Sequence, residues 1–366
     1  MPGGLRFGTC ASLRCFLGLN KIRKEERSVM RPRLRTAAAL FSFVLLGTGL
    51  FGCDQGGTTD PVTAEEARSR ITESAAPLQQ ASTALDGTPL GAMSGMMAGS
   101  EEGSPNGSGW GSDLLSGLGA VLDTTGGTFN YDASTGVYAW TEAEQAWEQT
   151  RPADSLILRF PATPEARRNN ATFVLGEYDT RSLPVGAPED RLPTRIDASL
   201  SVNGTEAFNV DLRDVEVSPL LGIPQSFTLE VALPPLAYSA DLHSPSEAPY
   251  RYQDRLENDG ALVTATDATV EVLSGEAEDQ NPLGEVQGTT QVGQALAVEY
   301  TAQIGALAAL SDASAADINE NVEVRVLHQG TQVATLRYDA TAEQVLVVYP
   351  DGKTEPLADL LRDLGL

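Results

Sequence analysis

From residue 128 to residue 350, apolar and polar positions alternate with a period of two in short runs separated by turn-forming residues. That period belongs to strands that bury one face. Leu156–Phe160, Thr172–Tyr178, Ile196–Val202, Ala207–Leu212, Phe227–Leu233, Leu262–Leu273, Ala295–Ile304, Val322–Leu327, Val333–Tyr338 and Val345–Tyr349 read as strands. Asn203-Gly204 and Gln329-Gly330 each join two of them, and such pairs suit the two-residue hairpin turn with positive φ at both central positions. Phe129 and Tyr131 on one side of residues 132–136, and Val137, Tyr138 and Trp140 on the other, predict a further hairpin. Since no helices alternate with these runs, the pattern predicts a mainly β domain of about ten to fourteen strands in antiparallel meanders. The expected architecture is one large curved sheet or a sandwich.

Helical periodicity is confined to the flanks. Thr63 and Glu66 have the spacing of a capping box, and Pro77 should end or kink the helix they begin, with a second piece running to Leu85. Residues 87–127 are dense in glycine, serine and methionine, which predicts flexible structure apart from a short apolar helix at Asp113–Asp123. At the other end Thr354 is placed to cap a helix, Pro356 suits its first turn, and Leu357, Leu360, Leu361 and Leu364 fall on one face. That stripe is expected to dock on the sheet.

The N-terminus carries a different pattern. Arg31, Arg33 and Arg35 precede an uncharged, mostly apolar stretch from Ala37 to Phe51, and Gly52 and Cys53 follow. Fifteen helical residues rise only about 22 Å, short of a hydrocarbon core of roughly 30 Å, so the stretch suits an export signal better than a membrane span. Leu50-Phe51-Gly52-Cys53 resembles the lipobox of bacterial lipoprotein precursors, although Phe51 is larger than the residue usual there. The resemblance implies a lipid thioether on Cys53, removal of residues 1–52, and a domain held outside the cytoplasm on a bacterial membrane, the outer one slightly favoured. Met30 also suits the start of a compact signal, so residues 1–29 are either leader or a misassigned start. Residues 53–62 then read as lipidated cysteine and tether, residues 63–127 as helix and flexible region, and residues 128–366 as the β domain with its terminal helix.

Removing the leader sharpens the charge. Of 25 basic and 50 acidic residues, the leader holds nine and two, which leaves 16 and 48, a net charge of −32. Such a surface repels nucleic acid, so no nucleic-acid partner is expected. Lys353 is the one lysine beyond the leader. This balance suits either a salt-rich habitat, where screening relieves self-repulsion, or a biased genome composition. Cys53 is the last cysteine, so the exported domain must hold together by core burial without a disulfide.

Chemistry-bearing motifs are scarce. The chain has no nucleophile elbow, phosphate loop, Cys-x-x-Cys or His-Glu-x-x-His, and its two histidines, His243 and His328, read as exposed loop-edge residues. No catalytic residue, cofactor or metal is expected. Trp140 and Trp147 bracket Glu142 and Glu144, so they form either a platform for sugars or ordinary core packing. Two function classes follow. One is a non-catalytic envelope lipoprotein that binds a protein or glycan, or has a structural role. The other resembles lipoprotein carriers of lipids or other hydrophobic ligands, in which a curved sheet half-wraps an apolar cavity. A glycan-binding module or a glycoside hydrolase is the less favoured reading.

Overall fold

The computed structural model describes residues 62–89, 91, 114, 118, 121, 122, 129–163, 165–183, 191–218, 224–244, 249–272, 283–308, 310 and 314–364. The expected leader, Cys53, the expected tether and most of the glycine-, serine- and methionine-rich stretch lie outside them. The protein is mainly β: sixteen strands form one open sheet. They are β1 (Gly136–Thr141), β2 (Ala146–Arg151), β3 (Leu156–Phe160), β4 (Ala171–Ser182), β5 (Arg191–Val202), β6 (Thr205–Val217), β7 (Pro224–Leu233) and β8 (Leu236–His243), followed by β9 (Tyr250–Asn258), β10 (Ala261–Val272), β11 (Leu283–Val292), β12 (Leu296–Gln303), β13 (Val322–His328), β14 (Thr331–Asp339), β15 (Gln344–Val348) and β16 (Thr354–Pro356). From β3 to β16 each strand lies beside its sequence neighbours, and every described pairing in this run is antiparallel. The meander is therefore a single sheet and not a sandwich.

The one departure is at the first edge. β1 pairs antiparallel with β2 and parallel with β3, giving the order β2-β1-β3. The hairpin expected around residues 132–136 does not form. Residues Tyr131–Ser134 instead make one helical turn: Asn130 Oδ1 accepts from the Ala133 amide, and the Ser134 hydroxyl donates to the Asn130 carbonyl. These local side-chain bonds outcompete strand pairing there. Phe129 and Tyr131 turn toward Tyr178 of β4, with ring centroids 5.2 and 6.4 Å away.

Three connections are tight turns with consecutive positive φ: Asn203-Gly204 (54° and 79°), Asp259-Gly260 (50° and 75°) and Gln329-Gly330 (49° and 79°). Each turn also carries the ladder sideways. Asn203, Asp259 and Gln329 donate their amides to the carbonyls of Asn170, Pro235 and Ala295 in the neighbouring connections, at 2.7 to 2.9 Å.

The helices sit on the apolar face. α1 (Ala64–Ser74) starts where Thr63 Oγ1 accepts from the Glu66 amide at 3.3 Å, and α2 (Ala76–Gly87) begins after a break at Ala75 with Pro77 in its first turn. α1 presses Ala64, Ala67, Ile71 and Ala75 against Val292, Leu296, Val326, Val333 and Val347, and the small alanines let its backbone lie close to the strands. α2 buries Ala81 against Leu236 and Val263. The elbow between the helices meets the β11–β12 turn at Gly293 (φ 58°), where an added Cβ would lie 3.1 Å from Pro77 Cγ. Leu114 and Val121 belong to a second core with Trp140, Leu156, Leu158, Phe160, Leu200 and Val210.

Beyond β12 come α3 (Ile304–Ala308) and α4 (Ala315–Asn321), and after β16 comes α5 (Leu357–Asp363). Leu360 and Leu364 of the terminal stripe are buried in the α1 core and Leu357 and Leu361 partly so, as the docking expectation requires. Thr354, however, does not cap that helix. Residues 354–356 pair with β15 as β16, which moves the helix start to Leu357 and its cap to Pro356. Among the described residues, no helix is long and apolar enough to cross a membrane.

Candidate binding groove on the polar face

Because strand side chains alternate, the face opposite the helices receives the positions that do not pack under them. On β9 to β13 these fall in register into two rows. One runs Arg251, Thr269, Gln287, Thr301, Glu323, and the other Gln253, Asp267, Thr289, Glu299, Arg325. With the exception of Gln253, all of them line a groove of about 640 Å³.

Each end of the groove is closed by an ion pair. At the β9 end Arg251 holds Asp267 through Nε at 3.1 Å and also through Nη2, while Gln253 donates to the same carboxylate at 3.2 Å. At the β13 end Arg325 Nη2 lies 2.9 Å from Glu299, and its Nε lies 3.5 Å from Glu323. Asp267 and Glu299 are each 28% exposed, whereas Arg251 is 55% and Arg325 48%, so the carboxylates lie deep and the guanidinium groups lie over them. The Asp267 carboxylate pushes Arg251 further above its ordinary range and keeps it charged. Between the two pairs the floor is neutral: Thr269, Gln287, Thr289 and Thr301, each able to donate and accept.

Beneath the groove, on the helix-facing side, lies a polar network in otherwise apolar surroundings. Thr266 Oγ1 donates to Asp254 Oδ1 at 2.6 Å, Tyr252 Oη donates to Oδ2 at 2.9 Å, and Tyr238 and Tyr252 hydroxyls are 3.2 Å apart. Asp254 is 9% exposed, and burial raises its carboxyl above the ordinary range against the lowering effect of its two hydrogen bonds. Burial likewise raises the Tyr252 and Tyr238 hydroxyls. In the next row Tyr300 stands opposite Gly288, where an added Cβ would lie 2.6 Å from Tyr300 Oη and 2.8 Å from Ala268 Cβ. The missing side chain is what makes room for the phenol ring.

The tryptophans named from the sequence are used in packing. Trp140 is buried and donates Nε1 to Glu142 at 3.0 Å; Trp147 donates Nε1 to the Leu114 carbonyl at 3.2 Å. Their rings meet edge to face, with centroids 5.7 Å apart, and Trp147 stacks in the same way on Phe160 at 6.0 Å. Glu144 is exposed in the β1–β2 turn. His243 is exposed at the end of β8 and His328 half-buried at the end of β13, on strands that are not neighbours. Cys53 lies outside the described residues. Among the described residues, no three histidine, cysteine or acidic side chains are grouped to hold a metal ion.

Sequence reasoning missed both the groove and the network, because the groove depends on β9 and β11 and the network on β8 and β9, strands not read from the sequence. A signal was present: once Tyr250–Asn258 is assigned as a strand, period two places Asp254 on the face of Tyr250, Tyr252 and Leu256 and puts Arg251 on the other. Comparison of the chain with protein-family models, with curated proteins and with solved structures found no match.

Proposed function

We propose that this protein is a bacterial envelope lipoprotein, anchored through Cys53, whose β-sheet domain is a non-catalytic binding module. The anchor rests on the register of cationic segment, apolar run, Gly52 and Cys53. The observation that supports a binding role is the groove across β9 to β13, a formed concavity whose side chains are held by mutual ion pairs before any ligand arrives. Such preorganisation lowers the entropy cost of binding.

Palmitate labelling and membrane fractionation in a bacterial host test the anchor: Cys53→Ala should lose the label and escape cleavage before residue 53. The domain from residue 54 onward, made without the leader and Cys53, then tests the binding role. It should still be retained on isolated envelopes, and adding Thr289→Trp, which fills the groove, should release it. Equal retention of the two proteins would count against the groove.

A carrier role is the second reading, favoured by helices α1 and α2 lying over the apolar face of an open sheet. A lipid recovered repeatedly from the purified native protein by mass spectrometry would support it.

A further inference from the structure

We infer that the groove over β9 to β13 takes a neutral, hydroxyl-rich ligand, a short oligosaccharide; this rests on the binding-module reading above. Its charge speaks against ions of either sign. Three carboxylates (Asp267, Glu299, Glu323) face two guanidinium groups (Arg251, Arg325), and each arginine is already engaged. A phosphate or carboxylate ligand would have to break those pairs on a chain that is already strongly acidic. A cation would find Asp267 and Glu299 neutralised and Glu323 at the rim, 71% exposed.

The strands speak against a peptide added as a further strand. β9 to β13 are each paired on both sides, so the groove floor offers side chains and no open backbone edge, which strand addition requires. Its outward-facing side chains also include no aromatic ring or large aliphatic group that would select an apolar ligand; Tyr300, which borders it, directs its ring to the helix-facing side.

What the lining does match is a row of hydroxyl groups. One sugar hydroxyl can donate to the Asp267 or Glu299 carboxylate and accept from the arginine paired with it, so both charges are used without separating them. Thr269, Gln287, Thr289 and Thr301 supply neutral donors and acceptors between the two charged ends. Five strands at about 4.8 Å spacing give a span of roughly 19 Å, long enough for several linked sugar rings and far longer than a single one.

The test is isothermal titration of the full chain in detergent with malto-, cello-, laminari- and xylo-oligosaccharides, an oligogalacturonate and a neutral extended peptide. At least one neutral oligosaccharide should bind. Thr289→Trp should abolish that binding, Gln287→Ala should weaken it about ten-fold, as expected for lost hydrogen bonds, and Ser199→Trp on the same face of β5 should leave it unchanged. Circular dichroism melting checks that each variant is folded. Failure of every neutral oligosaccharide at millimolar concentration, tighter binding of the oligogalacturonate, or binding unmoved by both groove variants would each overturn the inference. If the peptide binds at the groove instead, the glycan inference fails while the binding module stands. Groove-independent retention on envelopes would remove the module reading itself.

Discussion

Thr266→Val is the sharpest probe of how the sheet tolerates a carboxylate in its covered face. Valine keeps the shape of threonine and the strand preference, so the change removes little except the donor 2.6 Å from Asp254 Oδ1. A hydrogen bond to a charged group contributes about 1.5–3 kcal/mol, and a buried acceptor that loses its partner also bears its desolvation cost. Thr266→Val should therefore destabilise the protein by about 2–3 kcal/mol. In an Asp254→Asn background the same change should cost only about 0.5–1.5 kcal/mol, since the surviving bond is neutral. The pH dependence has a definite sign. Asp254 has a folded-state carboxyl raised above its value in the unfolded chain, so the folded form holds the proton more tightly. Stability from this group is fully present below the unfolded value and declines as pH rises through the folded one. None of the groups that act on it is a cation; those facing it are Tyr252 on its own strand, Thr266 on β10 and, through Tyr252, Tyr238 on β8. Asp254→Asn should remove this decline. Urea denaturation followed by circular dichroism at several pH values measures both effects. A Thr266→Val variant within about 0.5 kcal/mol of wild type, or a pH profile unchanged by Asp254→Asn, would refute the reasoning.

Gly288→Ala should cost about 1–3 kcal/mol by overpacking, because the new methyl meets Tyr300 Oη and Ala268 Cβ inside contact distance; adding Tyr300→Phe should recover part of the loss, and a melting curve without a downward shift would contradict this packing. At a net charge of −32 over residues 54–366, screening should raise the melting temperature between low and molar sodium chloride. A flat or falling trend would show that the acidic residues are too dispersed to strain the fold.

Several elements are legible in the sequence for identifiable reasons. Asn203-Gly204 and Gln329-Gly330 occupy turns that need positive φ twice, Thr63 caps its helix, Pro77 separates two helices, and the leucine stripe at 357–364 docks. β9 and β11 escape because their inward positions include polar or small residues, whereas β8 alternates Leu236, Tyr238, Ala240 and Leu242 with Ala237, Ser239, Asp241 and His243 and carries a plain period-two signal. β11 has Gly288 and Thr290 at inward positions, and β9 has Asp254 beside Tyr250, Tyr252 and Leu256, so their inward faces are only partly apolar. Asp259-Gly260 is as strong a turn signal as the other two, although its first strand carries a carboxylate on its inward face. The groove is invisible for a different reason: its pairs join residues such as Arg251 and Asp267 or Glu299 and Arg325, which become neighbours only when register is known.

The fastening of α1 sets an order of events during synthesis. The Ala64 amide donates to Asp351, Lys353 holds Glu65 at 2.7 Å, and Arg68 reaches both Glu355 and Asp363, contacts that span 287 to 295 residues of chain. α1 thus has no resting place until the last strands and the closing helix exist. Closing so long a loop is entropically slow, and it makes completion of this half of the sheet a late, non-local step. For a chain exported unfolded, as proposed above, that delay would keep α1 and the closing strands from locking together before both had crossed.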